Sequence, residues 1–531
     1  MKYRCRIVTI LVLFSLSCSP PSKVPESIES FENVSLGGVT VPAQLLTEPF
    51  TLRLPRAGKT ILEFGNASGE QMSVGVMGRT SNRWNLPPGQ WTRVIGEFKE
   101  ETALTWGFGE LHLGSVYQVP KRHALPNILL LSIDTLRADR FNAQTMPQLT
   151  ALFAEGRIYQ NAYSPAPWTL PAHASMLTGQ YPAHHGVRKS DAKLSPEVVS
   201  LAEVLNGEGF YTWAVTEGNF VSARYGLSQG FYRYLEQAPK MMEREVGEIS
   251  KLAANLEIAR EGVRSLKDVP QFLFFHTYEV HCPYVPRDGL LDPEGLGGTQ
   301  WLLDNDGKPL SHEVYRQIEK LYDGEVAYTD ALLAPFLREL VESGNWLIIL
   351  TSDHGDEFGE HGGLLHGDSL YNEAVQVPLA IVGAGVDPGR VETACSLVDI
   401  APSILQVLGV AVPDSWQGHT LMGSIIERPV FSESFFWGVH IPVEDARILS
   451  VISQQKKLIQ SQNFGQIQAE LYFLDQDPLE KRNRQAEELG IRDALFPYLE
   501  AYLANKSLTP EQVEALTPEQ LEALRALGYV E

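Results

Sequence analysis

The chain has 531 residues, 44% of them hydrophobic, and a formal net charge of −22. That hydrophobic content belongs to a globular protein, and the length exceeds one ordinary core, so two domains are expected. The acidic balance argues against a nucleic-acid or anionic-membrane surface as main partner, but it leaves room for an anionic substrate, because a bound metal reverses the local sign.

Lys2, Arg4 and Arg6 open the chain, and Ile7 to Leu16 is an apolar run too short to span a bilayer. Ser15-Leu16-Ser17-Cys18 follows and resembles a bacterial lipobox. Residues 1–18 are therefore expected to be a signal peptide, with a lipid on Cys18 holding the protein at the cell envelope; ordinary signal-peptidase cleavage is the alternative. Residues 19–32 are rich in Pro, Ser and Glu and read as a linker.

Residues 33–120 carry short alternating runs such as Thr60-Ile61-Leu62-Glu63-Phe64, separated by turn residues. This predicts a β-sandwich. Trp84, Trp91 and Trp106 within it are either core residues or stacking platforms for sugar rings. From Pro126 onward, apolar runs alternate with helical patterns, which predicts a parallel α/β sheet. Strands are expected at Asn127–Ile133, Tyr211–Val215, Phe272–Phe275, Trp346–Leu350 and Leu379–Val382. Helices are expected over 146–155, 197–206, 242–266, 313–343 and 400–408. Runs at Arg447–Ile452 and Lys457–Ile459 predict a hairpin. Residues 481–531 form a helical tail, with helix starts at Thr509-Pro510-Glu511 and Thr517-Pro518-Glu519. Of the four cysteines, Cys282 and Cys395 lie outside the leader region, and sequence leaves open whether they pair.

Four segments place reactive groups just after apolar runs. Asn127 to Ile133 runs into Asp134, at the strand end where open α/β sheets bind ligands. Asp134 is thus a metal-ligand candidate or a helix cap. Ser164-Pro165-Ala166-Pro167-Trp168-Thr169-Leu170-Pro171-Ala172-His173 puts Thr169 at a helix start, where backbone N–H groups and the dipole favour an anion. Thr169 is either a nucleophile needing activation or an N-cap. Phe272 to Phe275 leads into His276, Glu279 and His281. Trp346 to Leu350 leads into Asp353-His354, a loop with Asp356, Glu357, Glu360 and His361, and then His366. Asp and neutral His are suitable ligands for zinc or manganese.

Taken in order, these segments resemble the sulfatase branch of the alkaline phosphatase superfamily, over roughly the last four-fifths of the chain. Ser396 to Leu405 resembles the family's helix after the metal loop, and Glu470 to Asp475 with Asp477-Pro478 and Glu480 resembles its C-terminal signature. The resemblance implies a central, mostly parallel sheet flanked by helices over residues 124–480, with a small antiparallel C-terminal subdomain. It also implies an ester hydrolase using one or two divalent ions, zinc with manganese or calcium as alternatives. Asp134, Thr169, Asp353 and His354 fall at one metal, while His281 and His366, with Glu279 beside them, fall at a second position. Thr169, His281 and His366 take the catalytic roles. The chain departs from the family at four places. Thr169 stands where Cys or Ser becomes formylglycine, His173 where Arg is usual, and His366 where a sulfate-binding Lys is usual. Thr135 also replaces a second Asp. These changes favour a phosphate mono- or diester as substrate, small or carried on a glycan or lipid. A sulfatase is the alternative, followed by a phosphoethanolamine-type phosphotransferase or a non-catalytic binding protein.

Overall fold

The computed structural model describes residues 8–11, most of 32–120, 125–237, 251–287, 289–435, 447–463, 466–504 and 511–512. Cys18, the 19–31 linker and the Thr517-Pro518-Glu519 helix start lie outside these residues.

Five parallel strands form the middle of the central sheet, in the order Arg233–Glu236, Tyr211–Thr216, Gln271–Thr277, Asn127–Ile133, Trp346–Thr351. Gln376–Gly383 and Arg157–Tyr163 extend it, each antiparallel to its inner neighbour. Asn127–Ile133 is buried along its whole length, as a strand covered on both faces must be. One face packs the helices Pro147–Phe153, Leu252–Ser265 and His312–Glu342. The other packs Thr169–Thr178, Leu201–Gly207 and Ile400–Leu408. The expected helix over 242–266 is described only as Leu252–Ser265.

The N-terminal strands form two sheets that enclose a core of Leu52, Phe64, Val74, Leu86 and Leu104. One of these sheets continues the central one, because Val39–Leu46 pairs antiparallel with Arg233–Glu236. Val8–Leu11, inside the expected targeting segment, lies parallel to Phe50–Arg53. The tryptophans are packing residues. Trp84 packs against Phe64 and Phe98 with ring centroids 6.4 and 6.0 Å away, Trp91 is buried, and Trp106 packs half-buried on the same core.

Toward the C-terminus, Val430–Ser434, Arg447–Ser453, Lys456–Asn463 and Gln466–Phe473 form an antiparallel sheet, on which helix Leu489–Ala504 packs. Of the expected helix start Thr509-Pro510-Glu511, only Glu511 is among the described residues, and it is not helical. Glu511–Gln512 instead pairs antiparallel with Ala192–Lys193, whose edge offers ladder hydrogen bonds. Cys282 and Cys395 are both buried, and neither is in a disulfide. They belong to cores on opposite faces of the central sheet, so they do not form the disulfide that sequence left open.

Candidate active site

The sheet brings Asp134, Thr169, His276, Asp353 and His354 together, all fully buried. Asp134 and Asp353 each lie just past the C-terminal end of adjacent parallel strands. Thr135 adopts φ 57°, and its N–H donates to Asp353 Oδ1 at 3.3 Å. The Tyr322 hydroxyl donates to the Thr135 carbonyl and accepts from the Arg137 N–H, both at 2.9 Å, which pins the turn that presents Asp134. Past His354 the loop runs against the backbone of residue 373. A Cβ on Gly355 would stand 2.1 Å from the Glu373 carbonyl, so only glycine fits there.

Thr169 is the first residue of helix Thr169–Thr178; Trp168 is the N-cap, and its side chain makes no cap bond. The N-cap alternative for Thr169 is therefore corrected. Its hydroxyl lies 3.4 Å from Asp134 Oδ2 and 3.3 Å from His354 Nε2. His354 Nδ1–H donates to the Gly355 carbonyl at 3.0 Å, so Nε2 presents its lone pair. That lone pair faces Asp353 Oδ2 at 3.3 Å and Asp134 Oδ1 at 3.8 Å. Asp134 Oδ1 and Asp353 Oδ2 are buried without a hydrogen-bond partner. Burial, together with the neighbouring Asp353, pushes Asp134 well above the usual carboxylate range, and burial also raises Asp353. Two partnerless carboxylate oxygens thus face an imidazole lone pair. Ligand atoms of Asp134, Asp353 and His354 lie within 4.8 Å of one another. The donor set fits a divalent cation, whose charge would remove both penalties.

His276 and His173 orient this cluster. His276 Nε2–H donates to Asp134 Oδ2 at 3.2 Å. His173 Nδ1–H donates to the Thr169 carbonyl at 2.9 Å, and its Nε2 accepts from Ser132 Oγ at 3.0 Å. Burial holds both rings below the usual histidine range, so His173 contributes no charge where the family carries Arg.

His366 and His281 flank the cluster. The His366 ring centroid is 4.1 Å from that of His354 and 5.1 Å from that of His281. His366 Nδ1–H donates to Asp356 Oδ1 at 2.6 Å, and Tyr284 OH donates to Asp356 Oδ2 at 2.7 Å. His281 Nδ1–H donates to the Cys282 carbonyl at 2.6 Å, and burial first, then His366, depresses His281 to about 3. Both imidazoles thus keep Nε2 as an acceptor. Glu279, expected beside them, is ion-paired with Arg287 at 2.6 Å. Glu360 binds Arg137, and His361 binds Glu373, which makes them loop-holding groups. The bond from His276 to Asp134 and the Asp356–Tyr284 support were not legible in sequence, since their partners lie 142 and 72 positions apart. Glu217, at the end of strand Tyr211–Thr216, carried no sequence signal either. It accepts from Thr277 Oγ1 at 2.8 Å, and burial followed by the charge of Glu279 raises it to about 8.

Comparison with known proteins shows the family and the fold. The family model described as Sulfatase matches residues 126–410. The arylsulfatase of Clostridium perfringens is 24% identical over 441 residues, covering 67% of this chain and 90% of the relative. Arylsulfatase K of Danio rerio is 23% identical over 366 residues, covering 58% and 70%. The solved phosphonate monoester hydrolase from Silicibacter pomeroyi shares the fold with a TM-score of 0.60 at 18% identity, covering 72% and 96%. With its family match spanning more than half of its length, the chain belongs to the sulfatase family of hydrolases in the alkaline phosphatase superfamily.

Proposed function

We propose that the protein is a metal-dependent hydrolase of phosphorus esters, with Thr169 as nucleophile. The observation that carries this is Thr169 Oγ1 between Asp134 Oδ2 and His354 Nε2. Threonine bears a methyl group on the carbon that must become an aldehyde in formylglycine, so the family's usual nucleophile cannot form here. Asp134, Asp353 and His354 would hold a zinc or manganese ion. When bound, the ion neutralises charge and makes the hydroxyl more acidic. Thr169 Oγ attacks phosphorus as the bond to the leaving alcohol breaks, and the alcohol departs with a proton. Water then cleaves the phosphothreonine, returning the hydroxyl and releasing phosphate. The N–H groups at the helix start face the anionic group, and His281 and His366 would hold a second ion beside it.

A sulfuric ester hydrolase is the second reading, favoured by relatives that carry the name arylsulfatase. A phosphate monoester, a phosphate diester and an aryl sulfate, assayed side by side, separate the two. Phosphoester turnover that falls at least roughly a thousandfold in Thr169→Ala, with unchanged melting, is expected. A phosphothreonine trapped at low pH would identify the intermediate. Turnover of the sulfate alone would overturn the reading. We also infer lipid attachment at Cys18, supported by the basic and apolar run before it. A mature chain of unmodified mass from an envelope fraction would refute this.

A further inference from the structure

A cavity of about 310 Å³ lies at the junction between the N-terminal strands and the central sheet, on the face opposite the Thr169 helix. Its floor holds Arg93 from the N-terminal region and Arg233 from the central sheet. Both guanidiniums pair with one carboxylate, Glu63, at 3.0 and 2.6 Å. Glu63 is 1% exposed and also accepts from Tyr211 OH at 2.8 Å. Although burial raises it, Arg233 and Arg93 hold this carboxyl below its ordinary range, so it carries one full negative charge against two positive ones. The arginine side chains are only 16% and 13% exposed. A largely buried surplus cation is costly unless an anion or solvent compensates it. Glu261 reaches the rim on helix Leu252–Ser265, yet among the described residues it pairs with neither arginine.

Ile95, Leu235 and Ile258 supply apolar walls. The arginine floor cannot fold away, because Arg93 is clamped over the Tyr211 and Trp213 rings at 5.1 and 5.8 Å. Trp213 cannot move either, since a Cβ on Gly262 would already stand 2.2 Å from it. The volume is at the lower end for small-molecule pockets and suits one ring rather than a chain.

We propose that this cavity is a second, non-catalytic site for a sugar-sized ring bearing one anionic group. The guanidinium pair takes the anion, and the apolar walls take the ring face. Trp213 pairs with Leu273, four residues before Thr277, so the cavity lies about 13 Å down the strands from the catalytic end. One ring cannot occupy both places. The ligand is then either a free anionic sugar or a non-reacting unit of a longer anionic substrate. The proposal does not depend on the nucleophile reading.

Calorimetric titration of the full chain with glucuronate tests it, since that ring bears a carboxylate but no ester to be cleaved. Neutral glucose serves as control and a glucuronate-containing oligosaccharide as the second arm. Millimolar or tighter glucuronate binding, with none for glucose, is expected. Removing the rim charge in Glu261→Gln should tighten binding several-fold. Filling the cavity in Ile258→Trp should weaken it roughly tenfold or more, as loss of a charge-assisted contact does. Tighter binding of the oligosaccharide than of glucuronate assigns the site to a longer substrate, and equal binding to a free sugar. No heat with glucuronate, equal binding of glucose, or affinity unchanged in Glu261→Gln would overturn the proposal. Glu261 is an exposed helix residue, so that variant keeps the test valid if Ile258→Trp fails to fold.

Discussion

Thr169 and His173 occupy the first turn and a half of one helix, and between them they change what a substrate meets. The family's Arg would bring a positive charge; His173 is held neutral by burial and spends both ring nitrogens on Thr169 and Ser132. Binding of an anion must then rest on backbone N–H groups and the cation site, which suits a group whose charge is neutralised by metal. A pH consequence follows from His185 on the same side of the sheet. Its Nε2–H donates to Ser175 Oγ and its Nδ1 accepts from the Val187 N–H, at 2.9 and 3.1 Å. Burial first, then Arg188, depresses it to about 3. A folded pKa below the unfolded value of about 6.5 means that the unfolded chain binds more protons. The contribution is therefore full above about pH 6.5 and is lost as pH falls toward 3. His185→Gln should flatten the fall in stability across that window by one proton, read from denaturant melts at several pH values. An unchanged slope would contradict the assignment.

Among elements, the C-terminal sheet matters because it holds two loops of the candidate site. Ser432 Oγ donates to the Ser164 carbonyl and Ser434 Oγ to the Gly367 carbonyl, each at 2.6 Å. One strand therefore braces both the segment before Thr169 and the His366 loop. Deeper in, Lys457 and Glu480 form a fully buried ion pair at 2.8 Å. Glu480 Oε2 accepts from the Asn372 N–H at 2.6 Å, and its carbonyl meets His361 Nε2 at 3.0 Å. Lys457→Met leaves a buried, unpaired carboxylate and should cost about 3–5 kcal/mol. Adding Glu480→Gln should recover much of that loss, because the amide oxygen can still accept from Asn372. Urea midpoints of the two variants decide this: a double variant no more stable than the single one would mean that the pair's charge is not what holds the loop.

Across the whole molecule, one of the two N-terminal sheets shares a sheet and a core with the catalytic region. Val39, Val41 and Tyr117 pack in the same cluster as Leu129, Trp213 and Ile348. Calorimetry should show a single main transition rather than an independent N-terminal unfolding. A cation held by Asp134, Asp353 and His354 would be a second global contributor. Adding zinc or manganese to chelated protein at 100 to 1,000 times its Kd should stabilise it by about 3–4 kcal/mol, with a melting temperature that depends on metal concentration. No shift in Tm together with full activity after chelation would refute the site.

The motif segments were legible because each is local: an apolar strand followed at once by Asp134, Asp353-His354 or His281 reads the same in sequence and in space. The parallel sheet, its helices and the C-terminal hairpin follow from the same periodicities. What the sequence could not supply were contacts between distant segments. Sequence gave Thr169 two possible roles, and only the fold set Trp168 as the cap and turned the Thr169 hydroxyl toward Asp134 and His354. It likewise could not show that Cys282 and Cys395 lie on opposite faces, or that the N-terminal sheet runs on into the central one. Residue types and strand periods are fixed along the chain, whereas pairings across some 30 to 240 positions depend on which surfaces the folded core brings into contact.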